Sequence, residues 1–112
     1  MTIDGLTGVH MTNKNETDVK GIWIHDTNTK FIPANLGVLF QLTTLIVQKS
    51  NLIEIKAENF LGMQNLEHLS LYNNGISYVS SDAFSTLSKL KFINLTNNLF
   101  TIHDKLVFLI FS

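Results

Sequence analysis

Two histidines are the side chains of this chain whose type and spacing come closest to a reactive constellation. His25 and His68 fall on short segments of alternating apolar character, two repeats apart, and strand spacing puts them about 10 Å from each other. An imidazole pair on one face invites a metal ion. Here no carboxylate or third histidine lies between the two, so polar decoration of a sheet is the expected role and metal ligation is not. No serine, histidine and carboxylate converge on neighbouring positions. Gly5 and Gly8 are isolated from any strand–helix unit, which rules out a phosphate-cradling loop. The chain has no cysteine, which removes disulfides, thiolate metal sites and thiol nucleophiles. Neither catalysis nor a cofactor is expected. Two N-x-T triplets, Asn15-Glu16-Thr17 and Asn94-Leu95-Thr96, are candidate glycosylation sites. A glycan fits the polar stretch around Asn15, whereas on Asn94 it would obstruct the surface beside Phe92.

Composition narrows the partners. The 112 residues carry a formal net charge of −1, with 15% charged and 45% hydrophobic side chains. Such a chain folds rather than staying disordered. All eight basic residues are lysines, so the guanidinium fork that clamps phosphate or reads guanine is absent, and nucleic acid is not an expected partner. The longest apolar run, Leu106–Phe111, spans six residues, against the roughly 20 a membrane helix needs. No membrane insertion is expected. Met1 to Gly5 does not read as a basic stretch leading into a signal peptide.

The elements that must position these side chains emerge when the sequence is compared with itself. Leu42, Leu66 and Leu90 recur at one constant interval, as do Leu45, Leu69 and Ile93, and Val47, Leu71 and Leu95. Ser50, Asn74 and Asn98 share the period, followed by Leu52, Ile76 and Phe100, by Phe60, Phe84 and Phe108, and by Met63, Leu87 and Phe111. A less regular unit precedes them, through Val19, Ile22, Ile24, Thr27, Ile32, Leu36 and Leu39, and from Val19 it reaches Leu42 at almost the same interval. At one position the pattern breaks, where His103 follows Ile55 and Val79. The units are 19–41, 42–65, 66–89 and 90–112, the last incomplete, after a non-repeating segment or partial cap at 1–18.

The unit Leu66-Glu67-His68-Leu69-Ser70-Leu71-Tyr72-Asn73-Asn74 resembles the leucine-rich repeat family, in its 24-residue class with a phenylalanine column. The resemblance covers residues 19–112. Lys30-Phe31-Ile32-Pro33-Ala34-Asn35-Leu36 is similar to the first coil of extracellular members such as Toll-type receptors and small proteoglycans. Those relatives usually carry a cysteine-rich cap before that coil, and no cysteine precedes it here. The resemblance implies an α/β-type repeat solenoid, with a short parallel β-sheet on its concave face and turns or short helical pieces on the convex side. It also implies macromolecular recognition of a protein ligand, outside the cell or at its surface.

The residues support the same architecture on physical grounds. In each unit the apolar–x–apolar core alternates as a strand with one buried face does, giving strands at 22–24, 45–47, 69–71 and 93–95. Parallel pairing needs a long crossover, and the rest of each coil provides it. Asn74 and Asn98 sit where the chain leaves the strand, and their amides can satisfy backbone groups stranded by the bend. Thr27 and Ser50 occupy that column in earlier units and can do this only in part. Phe60, Phe84 and Phe108 are expected to stack on the convex side. Before Val19, a strand at Val9–Met11 folded against the edge beside Ile22–Ile24 and a loose tail are equally compatible with the pattern.

With the repeat residues committed to the core, function falls to the positions that point outward from the strands. These are Gly21, Trp23 and His25; Thr44, Ile46 and Gln48; His68, Ser70 and Tyr72; Phe92, Asn94 and Thr96. Trp23, His25, Ile46, Gln48, His68, Ser70, Tyr72 and Phe92 are the candidate partner-binding residues. Trp23, Tyr72 and Phe92 would place aromatic anchors on an exposed sheet, although cross-strand pairing that merely stiffens the sheet would use the same residues. Two other readings stay open: a structural piece of a larger receptor, and a cytoplasmic leucine-rich repeat adaptor. At the far end Phe108, Leu109, Ile110 and Phe111 have no following coil to cover them, which points to a truncated chain, looser packing of Phe108 than of Phe84, and self-association through that end.

Overall fold

The computed structural model describes residues 2–4 and 19–99. In chain order the strands are β1 (Thr2–Asp4), β2 (Gly21–His25), β3 (Thr44–Gln48), β4 (Glu54–Ile55), β5 (His68–Ser70), β6 (Tyr78–Val79) and β7 (Phe92–Asn94). β1, β2, β3, β5 and β7 form one parallel sheet in that order, and β4 pairs with β6 in a second, two-stranded one. The molecule is a parallel-strand β-solenoid. Its helical content among the described residues is two 3-10 turns, Ala34–Val38 and Ala57–Phe60, so the convex side is of the irregular, short-helical kind.

Register follows the sequence columns. Ile22 pairs with Leu45, Leu45 with Leu69 and Leu69 with Ile93. Strands β5 and β7 end one residue before Leu71 and Leu95, yet the ladder runs on: Leu71 N–H donates to the Asn94 carbonyl (2.8 Å) and Asn73 N–H to that of Thr96 (3.0 Å). Ile22, Ile24, Leu45, Val47, Leu69 and Leu71 are buried in one core with Leu42, Leu66, Phe60, Phe84 and Leu87. The Phe60 and Phe84 rings stack across coils with centroids 5.8 Å apart and planes tilted by 38°. On the same side, Gly37 and Gly62 let two backbones meet. A Cβ on Gly37 would fall 2.1 Å from the Leu61 carbonyl oxygen, and Gly62 has φ +86°, a combination only glycine accommodates.

At the start of the chain, a strand does lie beside Ile22–Ile24. The strand lies at Thr2–Asp4 and runs parallel to β2, pairing Ile3 with Ile24 and Asp4 with His25. The offset between these partners is close to the length of one coil, so this segment extends the sheet in the sense of the repeat. Val9–Met11 lies outside the described residues. So do Asn15, His103, Phe108 and the apolar run to Phe111, and with them the expected self-associating end.

The later turns out of the sheet are held by a side-chain ladder. Asn74 Nδ2 donates to the carbonyls of Val47 (2.8 Å) and Leu71 (2.9 Å), while its Oδ1 accepts from the N–H of Ser50 (2.9 Å). Asn98 repeats this one coil later, donating to the Leu71 and Leu95 carbonyls and accepting from the Ile76 N–H. Ser50 Oγ reaches only the Gln48 carbonyl of its own coil, and the buried Thr27 Oγ1 has no hydrogen-bond partner.

The residue before each ladder position has a left-handed backbone: Asp26 (φ 55°), Lys49 (φ 50°), Asn73 (φ 60°) and Asn97 (φ 57°). The doubled asparagines thus divide the work, one taking the strained φ and the next bonding the bend. Asparagine and aspartate tolerate this region, and lysine gains nothing local from it. Lys49→Asn is therefore expected to raise stability by about 0.5–1 kcal/mol, a few degrees in Tm. Thermal unfolding of the two proteins checks this, and an unchanged or lower Tm would contradict it.

Candidate functional site

The outward face of the five-stranded sheet is built by alternation. Along β2 the burial runs partly exposed, buried, exposed, buried, partly exposed, with Ile22 and Ile24 facing the core and Gly21, Trp23 and His25 facing out. β3 repeats the pattern with Thr44, Ile46 and Gln48 outward. Cross-strand register gathers these side chains into columns: Gly21, Thr44, His68 and Phe92 in one, Trp23, Ile46, Ser70 and Asn94 in the next, and His25 opposite Gln48 in a third. Tyr72 and Thr96 follow β5 and β7. Trp23 and Phe92 are each 47% exposed, which is unusual for rings of this size with a core available to them. They stand on β2 and β7, at opposite ends of the repeating strands. Tyr72 is half-buried.

Two expectations about this face need correction. Ser70 points away from the core yet is only 6% exposed, because its short side chain lies between Ile46 and Asn94 on the adjacent strands. It is part of the floor of the face. The two histidines are also farther apart than the expected separation of about 10 Å. His25 is opposite Gln48, and His68 is opposite Thr44, at the other end of β3, so two columns separate them. Strand geometry then gives roughly 16 Å. Each is engaged separately: His25 Nδ1 lies 2.9 Å from Asp26 Oδ2, and the His68 ring stacks on Phe92 with centroids 4.4 Å apart. Among the described residues no three histidine, aspartate or glutamate side chains gather.

Asn94 is partly exposed, and its Oδ1 accepts from the N–H (3.0 Å) and hydroxyl (2.8 Å) of Thr96. The triplet is thus folded on itself at the edge of the face, one position from Phe92 in the strand alternation.

A charge pattern that alternation alone does not reveal appears once the residues are taken column by column. None of the twelve outward positions on the four repeating strands is lysine, aspartate or glutamate, and on β1 Asp4 stands in register with His25 at one corner of the face. Charges flank them instead. Lys20, Glu67 and Lys91 follow one margin, with Lys91 Nζ 3.3 Å from Glu67 Oε1, and Asp26 and Lys49 follow the other. Elsewhere, a groove of about 400 Å³ is lined by Phe31, Glu54, Lys56, Glu58 and Leu61. Its lysine is paired with Glu54 at 3.4 Å, and no nucleophile and base converge there. No helix among the described residues is long and apolar enough to cross a membrane.

A family model for the leucine-rich repeat matches residues 40–100. Comparisons with curated proteins and with solved structures give no match. The family match spans more than half of the chain, and the asparagine ladder, the parallel register and the phenylalanine column all fall within it or continue it. The chain belongs to the leucine-rich repeat family, whose repeat domains are general protein-interaction modules.

Proposed function

We propose that this chain is a non-enzymatic recognition module that holds a protein partner on the outward face of its sheet. The observation that carries this reading is the pair Trp23 and Phe92, two large rings left half in solvent on a face whose other side packs the core. Aromatic side chains of this kind are the usual anchors of protein interfaces. Ile46, Gln48, His25, His68 and Tyr72 lie around them and complete the contact surface, with Ser70 beneath. We also place the module outside the cell or at its surface, on its similarity to extracellular members of the family and on its two N-x-T triplets. A partner on this face and a glycan on Asn94 exclude one another, so Asn15 is the better acceptor.

The test is site-specific photocrosslinking in secreting cells. A benzophenone side chain at Trp23 or Phe92 is expected to trap the same partner band, and one at Leu61, exposed on the far side, is not. Trp23→Ala should then weaken binding of that partner about 30-fold, equivalent to roughly 2 kcal/mol. Equal crosslinking from Leu61, or an alanine variant that binds unchanged, would place the contact elsewhere.

A further inference from the structure

We infer that the sheet face accepts an uncharged stretch of its partner, bearing aromatic, aliphatic or amide side chains. This rests on the reading of the face as the contact surface and adds the chemistry of what it contacts. The four repeating strands present Gly, Trp and His; Thr, Ile and Gln; His, Ser and Tyr; and Phe, Asn and Thr. The charged residues Lys20, Glu67, Lys91, Asp26 and Lys49 lie outside these columns on both sides, and Asp4 of β1 joins them at the corner beside His25. A carboxylate or ammonium group of the partner brought onto the centre of this face, around Ile46 and Ser70, would lose its water and find no opposite charge there, a cost that nothing at the centre offsets. An uncharged stretch loses far less, and it gains from burial against Trp23, Ile46 and Phe92. A centre depleted of charge inside a charged margin is the anatomy of a protein interface.

The probe is a phage-displayed library of random 12-residue peptides, selected on the full chain at 50 mM and again at 500 mM sodium chloride. The recovered peptides are expected to be depleted in charged residues, and the best of them, made synthetically, should change in Kd by less than twofold between the two salt concentrations. Ile46→Lys, in the middle of the face, should weaken it at least tenfold. Lys91→Ala, at the margin, should change it less than twofold. Trp23→Lys, at the end of the face on β2, serves as the second blocking variant, and circular dichroism verifies that each variant is folded. Recovery of acidic or basic peptides that Ile46→Lys releases would keep the face as the contact surface and overturn the uncharged stretch. Uncharged peptides that bind both blocked variants as well as the wild type would overturn the face itself. Recovery of no peptide that distinguishes wild type from the blocked variants overturns both.

Discussion

Asn74→Ala is expected to lower the stability of the chain by about 3–5 kcal/mol, the cost of leaving several backbone groups unbonded at once. The amide of Asn74 donates to the Val47 and Leu71 carbonyls and accepts from Ser50 N–H, all within 2.9 Å, with longer contacts to Tyr72 O (3.3 Å) and Leu52 N (3.4 Å). Three of these partners, Val47, Ser50 and Leu52, belong to the preceding coil, so one side chain ties two coils together. Alanine takes this partner from the Val47 carbonyl and from the N–H groups of Ser50 and Leu52, while the Leu71 carbonyl keeps its bond from Asn98, and each group left unbonded costs about 1–3 kcal/mol. Water reaches a half-buried position in part, which sets the estimate below the sum. Asn74→Asp should be no better, since a carboxylate cannot donate and would face the carbonyls it replaces a donor to. The column supplies its own scale. Ser50→Ala loses one bond to the Gln48 carbonyl and should cost about 1 kcal/mol. Thr27→Val removes a buried hydroxyl that bonds to nothing and should be neutral or mildly stabilising. Urea titration of the series should rank them in that order. A loss at Asn74 no larger than at Ser50 would show that the ladder is dispensable.

The same column shows what a sequence reveals and what it hides. Asn74 and Asn98 were legible because a turn out of a strand strands backbone groups and an amide satisfies both kinds. Asn73 and Asn97 carry an equally periodic signal, the first half of each doublet, but its meaning is a positive φ, and Lys49 in the same column shows that residue type alone does not declare it. Strand β1 was hidden for another reason. Ile3 takes the register of Ile24, yet that offset is shorter than the interval that revealed the other coils. On the face itself, alternation correctly turned Trp23, Ile46 and Phe92 outward. It could not show that Ser70 sinks between Ile46 and Asn94, because that depends on the relative lengths of side chains on three strands. The distance between His25 and His68 depends on register, because β3 meets His25 at its last outward residue and His68 at its first.

Phe84→Ala is expected to cost about 3–5 kcal/mol, the range for emptying a buried phenylalanine site. The ring is 3% exposed and sits against Phe60 of the preceding coil, so the void opens between coils, where a solenoid holds together. The neighbouring turns limit how far the site can close. Phe60 is itself fully buried, and the Gly37–Gly62 approach already brings the coils before it into backbone contact. A loss of this size is a large share of the roughly 5–15 kcal/mol a domain commonly holds. With a urea dependence of about 1–3 kcal/mol per molar, the unfolding midpoint should fall by more than about 1 M. Phe84→Leu keeps most of the volume and should lose about half as much. Pairing Phe84→Ala with Phe60→Ala isolates the contact between the rings, which should appear as a coupling of about 0.5–1.5 kcal/mol. Trp23, the one tryptophan, lies on β2, two repeating strands before β5, and reports on the distant end of the stack. If the coils unfold together, its fluorescence and the circular dichroism should shift to the same lower midpoint. A Trp23 signal that keeps the wild-type midpoint while the dichroism moves would mean that the coils unfold separately, and a total loss under about 1 kcal/mol would mean that the phenylalanine column does not join them.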